Sequence, residues 1–159
     1  MKKQITVLIS ACGTLALGPS LVRMVRDLEV EGYKTKVVGL DTNPDNACRY
    51  IVDSFYTSPK GSDLSFPKFV YNVCKKENVD VILGTSIENV LIPLLQNKHL
   101  FDSIGVRIPG SKITDIQIAN DKILMINHLD KLKCVKKAKY RVPKNPQEII
   151  DFAHELGYP

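Results

Sequence analysis

Four short stretches of this chain combine residue types that can do chemistry. The first, Ala11-Cys12-Gly13-Thr14-Leu15-Ala16, follows a β-rich block and comes close to the phosphate-binding turn G-x-G-x-x-G/A. It keeps the middle glycine, which lets backbone approach a phosphate, and the final small residue, but it carries Ala11 at the first glycine. Asp41 lies 28 residues after Gly13, where a dinucleotide-binding protein places the acid that holds a ribose. An acid opening an Asx turn at the end of a strand accounts for the same residue, and both readings stay open.

The second stretch is Gly84-Thr85-Ser86-Ile87-Glu88-Asn89. Small hydroxyl residues between a strand and a helix make a polar pocket at the carboxyl edge of a parallel sheet, where ligands of such folds bind. Thr85 or Ser86 can cap the helix, and Glu88 falls in its first turn, where the dipole favours a negative charge with or without a ligand. The third, Asn120-Asp121-Lys122, interrupts the apolar positions Ile116, Ile118, Ile123, Leu124 and Ile126. Lys122 therefore ends one short helix or begins another, and its ammonium points at a phosphate or simply at solvent. The fourth, Lys131 to Lys144, holds seven Lys/Arg and no acid, and reads as an anion-attracting stretch or a solvated strand face. It lacks the interleaved aromatics of a nucleic-acid platform. His99, His128 and His154 lie far apart, so no metal set or catalytic triad is read, and no residue is assigned a catalytic role.

The elements that must position these residues alternate. Ile5 to Ile9 is a short apolar strand, and Pro19 opens a helix carrying Leu21, Val22, Val25 and Leu28 as far as Gly32. Thr35 to Leu40 is a second strand, Ile51 to Tyr56 a third, and Phe66 to Lys76 a helix with Phe66, Phe69, Val70 and Val73 on one face. Val79 to Gly84 is a strand, the following helix contains Val90, Leu91, Leu94 and Leu95, and residues 104 to 108 supply an edge-like strand. Strands of continuous apolar character alternating with helices imply an α/β fold with a parallel sheet covered by helices on both faces.

After Gly110 the pattern changes. Ile113 to Leu132 is helical in composition, and Val135 to Val142 is a basic stretch that suits a strand. Asn145-Pro146-Gln147-Glu148 has a capping-box pattern and opens a helix that stops at Gly157. Two helices and a strand cannot close a core, so residues 111–159 are expected to be the start of a longer domain.

Length and composition agree. The 159 residues are 44% hydrophobic and 25% charged, which excludes a disordered tail or a fibre, and a chain this long buries about 70% of its extended surface. The four cysteines are 36, 26 and 60 residues apart without ligand spacing, and read as buried free thiols of a reducing compartment. The net charge of +5 is spread over both parts, and no apolar run approaches the roughly 18 residues of a membrane span. A cytoplasmic location is expected.

The order of these pieces resembles the amino-terminal part of ATP-grasp enzymes, above all those akin to the carbamoyl-phosphate synthase large chain and biotin carboxylase. The Gly13 turn, Leu40-Asp41-Thr42-Asn43-Pro44, and Val79-Asp80-Val81-Ile82 followed by Ile87-Glu88-Asn89 carry the likeness. So do Asn120-Asp121-Lys122, Val142-Pro143 and the closing Leu156-Gly157-Tyr158-Pro159. The resemblance implies a Rossmann-like pre-ATP-grasp domain over residues 1–110 and the opening of an ATP-grasp domain over 111–159. It implies that Lys122 contacts ATP phosphates, and that Gly13, Asp41, Thr85, Ser86 and Glu88 are candidates for a substrate pocket. The intact protein would be an ATP-dependent, Mg²⁺-requiring ligase that joins a small-molecule carboxylate to an amine through an acyl phosphate. These 159 residues alone would be inactive and hold neither cofactor firmly. Nucleic acid and membrane are not expected partners, and a homodimer is left open. The rival readings are a stand-alone NAD- or nucleotide-binding domain resting on Gly13 and Asp41, and a non-enzymatic interaction module.

Overall fold

The computed structural model describes residues 3–13, 17–28, 32–132, 134, 136 and 138–157. They fall into two compact units, Met1–Ile116 and Gln117–Pro159.

In the first unit, β1 (Lys3–Ser10), β2 (Tyr33–Asp41), β3 (Ser54–Thr57) and β4 (Val81–Gly84) form one parallel sheet in the order β3-β2-β1-β4. The central strand β1 is buried on both faces, which is why its apolar run is continuous rather than alternating. Its side chains nevertheless divide with period two. Leu8 joins Val38, Leu40 and Ile82 under α2 (Phe66–Glu77), α3 (Ile92–Gln96) and α4 (Lys98–Asp102), packing against Phe66, Val70, Leu94 and Phe101. Val7 and Ile9 join Val37 on the opposite face under α1 (Gly18–Arg26), packing against Val22 and Val25. The sheet is therefore covered by helices on both faces, as the alternating pattern implies.

Boundaries shift where the chain must turn. The first helix ends at Arg26 rather than near Gly32, and Leu28 is exposed. Tyr33 pairs with Lys3, and the Gly32 carbonyl accepts the Lys3 N–H, so the chain has to leave the helix early to enter β2 at that register. The third strand begins at Ser54 because Ile51 closes a 3₁₀ turn, Ala47–Tyr50, capped by the Asn46 side chain. The strand expected over residues 104–108 is reduced to a single parallel bridge between Arg107 and Val81.

After β4 the chain does not enter an α-helix directly. Residues Ile87–Leu91 form a π-turn, with the Leu91 N–H bonded to the Ser86 carbonyl, before α3 begins. Pro93 lacks the N–H that an α-helix would give to the Asn89 carbonyl four residues back, so the wider turn accommodates a break that is already in the sequence.

In the second unit, the helical run divides at Asp121 into α5 (Ile113–Asn120, which begins in the first unit) and α6 (Lys122–Leu129). Asp121 Oδ1 accepts the N–H groups of Ile123 and Leu124, a side-chain cap that starts α6. Helix α7 (Pro146–Leu156) follows Asn145, whose side chain accepts the Glu148 N–H, while Glu148 reaches back to the Lys144 N–H. Residues 138–142, which suit a strand in sequence, form none: Tyr140 donates to Asp130, and Arg141 pairs with Glu155 while stacking on Phe152 of α7. These side-chain bonds give the segment partners that a sheet would otherwise supply. Val135 lies outside the described residues, as do Thr14 to Ala16 and the final Tyr158-Pro159.

Candidate functional site

The strand order places a topological switch at β1, since the chain moves from β1 outward to β2 and β3 and then returns to the other side for β4. Beyond the carboxyl ends of strands around such a point the loops part, and a crevice opens. Here it is a cavity of about 440 Å³. Ser10 and Gly13 line it from the end of β1, Asp41 and Thr42 from β2, Ser58, Lys60 and Ser62 from the loop after β3, and Ser86 and Asn89 from the segment after β4. Phe66 and Val90 give it an apolar side.

Of the residues expected from sequence, Gly13, Asp41 and Ser86 meet here. Thr85 lies outside the lining: its hydroxyl hydrogen-bonds the Ser10 and Ala11 carbonyls at 2.8 and 3.0 Å, tying the end of β4 to the β1 turn instead of capping a helix. Glu88 is exposed in the π-turn and does not line the cavity. Lys122 belongs to the other unit, exposed at the first position of α6.

The β1 turn differs in detail from a phosphate-binding one. Gly13 does not offer its N–H outward; it donates to Asp41 Oδ2 at 2.7 Å, and Asp41 Oδ1 accepts the Asn43 N–H at 2.9 Å. Asp41 is thus an Asx-turn acid that also closes the β1 turn, and neither it nor the Gly13 amide is arranged as in an NAD site. Ala11, at the first glycine position of the motif, adopts φ +55°, a left-handed conformation that glycine takes without strain. The close helix–strand approach belongs to Gly18, where a Cβ would stand 1.7 Å from the Cys12 carbonyl oxygen. Ala16, the final small residue of the motif, is outside the described residues.

Three cysteines, Cys12, Cys48 and Cys74, are buried free thiols, whereas Cys134 is exposed, against expectation. Burial, then the neighbouring Cys48 and Asp41, pushes the Cys12 thiol well above its ordinary range, and burial alone raises Cys74 to about 12. Neither is a nucleophile near neutral pH.

The loop from Ser58 to Ser62 was not among the sequence candidates. Its signal was positional: it is the third loop to leave a carboxyl end of the sheet, and it carries Ser, Lys and Gly together. It is anchored on both sides. The Ser58 N–H bonds the Asp41 carbonyl, and Gly61 presses against Asn89, where a Cβ would lie 1.4 Å from the Asn89 carbonyl oxygen.

No group of three His, Cys, Asp or Glu among the described residues could hold a metal ion, and the first N–H groups of α6 are already bonded to Asp121. Lys122 stands exposed at the first position of α6.

A parallel Rossmann-like domain with a polar cavity at its switch point defines the class. The particular family follows from comparison: residues 7–109 match the family described as PylC-like, N-terminal domain, and the chain belongs to it. The chain is 27% identical to the carbamoyl phosphate synthase large chain of Methanobrevibacter smithii, over 96% of this chain and 15% of that protein. Against the multifunctional protein pyrABCN of Emericella nidulans it is 26% identical, over 96% of this chain and 7% of that one. Among solved structures, N5-carboxyaminoimidazole synthetase from Staphylococcus aureus, complexed with ADP, superposes with a TM-score of 0.65 at 25% identity, covering 100% of this chain and 37% of that one. The biotin carboxylase domain of a thermophilic 2-oxoglutarate carboxylase shares the fold, with a TM-score of 0.55 at 14% identity, over 97% of this chain and 34% of that one. The likeness to the amino-terminal region of ATP-grasp enzymes is borne out, and the chain spans a minor part of the relatives it matches.

Proposed function

We propose that these residues are the amino-terminal region of an ATP-dependent ligase that activates a small-molecule carboxylate as an acyl phosphate and passes it to an amine. In this reading residues 1–110 are the pre-ATP-grasp domain and 111–159 open the ATP-grasp domain. The observation that carries it is the polar cavity at the switch point of a PylC-like N-terminal domain, lined by Gly13, Asp41 and Ser86. Its volume suits a small metabolite rather than a macromolecule.

The chemistry sets the division of labour. A phosphoryl group passes between anions only where bound metal ions and cations neutralise the charge and hold the partners in line, which ATP with Mg²⁺ supplies together with the rest of the intact protein. This chain contributes orientation and exclusion of water at the substrate, with Lys122 as one phosphate contact. The protein works in the cytoplasm on small molecules; no helix among the described residues is long and apolar enough to cross a membrane.

Hydroxylamine trapping tests the reading. The full-length protein, given ATP, Mg²⁺ and a panel of carboxylic acids, is expected to yield a hydroxamate and ADP with at least one acid, while the 159-residue chain gives neither above background. ATP turnover by the short chain, or no hydroxamate from the full-length protein with any acid, overturns it.

A further inference from the structure

The cavity lining contains two ionisable side chains, Asp41 and Lys60. Both oxygens of Asp41 already accept backbone N–H groups, from Gly13 and Asn43, so its charge is largely answered within the turn. Lys60 is different. No described acid pairs with its ammonium, and it stands on a backbone held at one end by the Ser58 to Asp41 bond and at the next residue by the seat of Gly61 on Asn89. The Asp63 N–H also bonds the Lys60 carbonyl, which fixes the turn on its far side. The anchoring reduces the entropy lost when the lysine is ordered by a ligand. Around it the lining is neutral and rich in hydroxyls: Ser10, Thr42, Ser58, Ser62 and Ser86. Hydroxyl groups beside a cation, with no competing free carboxylate, favour a negatively charged oxygen group over a cationic or wholly apolar one.

We propose that Lys60, on the loop it shares with Ser58 and Ser62, is the specificity residue of this cavity and receives an anionic oxygen group of the small molecule bound there, a carboxylate or a phosphate monoester. The inference deepens the reading of the cavity as the substrate pocket and rests on it.

The test is an NMR titration of the 159-residue chain, labelled with ¹⁵N, using inorganic phosphate in one series and succinate in another. Saturable shifts at the amides of Ser58, Lys60, Ser62 and Asn89 are expected in at least one series. The stronger series identifies phosphate or carboxylate as the favoured group. Lys60→Met is expected to weaken that binding about tenfold or more, the usual weight of a charge-assisted hydrogen bond. Lys60→Arg, which keeps the charge, should stay within about threefold, and Lys34→Met, at the amino end of β2, should not change it. The proposal is overturned if neither anion shifts these amides saturably, if Lys60→Met binds as well as the parent, or if the largest shifts fall on residues 131–144. The titration contains no ATP and no turnover. Anion binding without hydroxamate formation by the full-length protein would therefore remove the ligase reading alone, and hydroxamate formation without anion binding would remove the role of Lys60 alone.

Discussion

The sheet unit and residues 117–159 hold their helices by different means. Side-chain hydrogen bonds start the 3₁₀ turn of the first, at Asn46, and α6 and α7 of the second, at Asp121 and Asn145, while α1 to α4 begin without one. In the first unit these uncapped helices enclose two apolar clusters, one on each face of the sheet. In the second no described residue is buried, and Ile123, Leu124, Ile149, Ile150 and Leu156 are exposed. Side-chain caps are enough to start helices in the second and are not needed by those of the first, but only burial over a sheet gives a core, so stability is concentrated in the part that carries the cavity.

The sharpest way to break this contrast is a pair of truncations. Phe101→Ala removes a fully buried ring and should cost about 3–5 kcal/mol in urea unfolding, whereas Ile150→Ala, 47% exposed, should cost under about 1 kcal/mol. Equal losses would mean that residues 117–159 share in a core after all.

A smaller effect comes from Glu77, which joins three elements of the first unit. It accepts from Lys36 of β2 at 2.6 Å and from Tyr56 of β3, with Ser54 nearby at 3.4 Å. The Lys36 bond, and then the Tyr56 bond, hold its carboxyl below the ordinary 4.5. A depressed folded value means that the unfolded chain binds the proton more readily, so this stabilisation is complete above the ordinary carboxyl range and fades as pH falls through the folded value. Glu77→Gln should cost about 2 kcal/mol near pH 7, and the gap between variant and parent should narrow as the pH falls from about 6 to about 3. A gap independent of pH would show that the carboxylate charge contributes nothing there.

The smallest effect belongs to the second unit. Asn145→Ala removes the α7 cap and should speed amide exchange at Glu148, at a local cost of about 1 kcal/mol, without moving the unfolding midpoint of residues 3–116. A shift of that midpoint would couple the two regions.

How much could be read in advance follows the same contrast. Period-two and period-3.6 patterns came from burial, so β1, β2 and α2 were legible to within a few residues, as was α7 from its Asn145 and Glu148 signature. Elements shaped by a single partner were not. The π-turn at Ile87–Leu91 depends on Pro93, and the basic stretch before α7 bonds side chain to side chain, as Arg141 does with Glu155, instead of pairing as a strand. In the site, Gly13, Asp41 and Ser86 were visible because strand ends announce them. That the Gly13 amide is given to Asp41 depends on residues distant in sequence meeting, and the Ser58 to Ser62 loop was hidden because its pattern matches no compact motif.

The seat of Gly61 on Asn89 sets a rule for anyone who wishes to retune the cavity. Two walls touch there with no room for even a methyl group, so position 61 is a rivet to be left alone when libraries are drawn. Diversity belongs on either side of it, at 58, 60 and 62, where side chains change the ligand that is preferred while the walls stay joined.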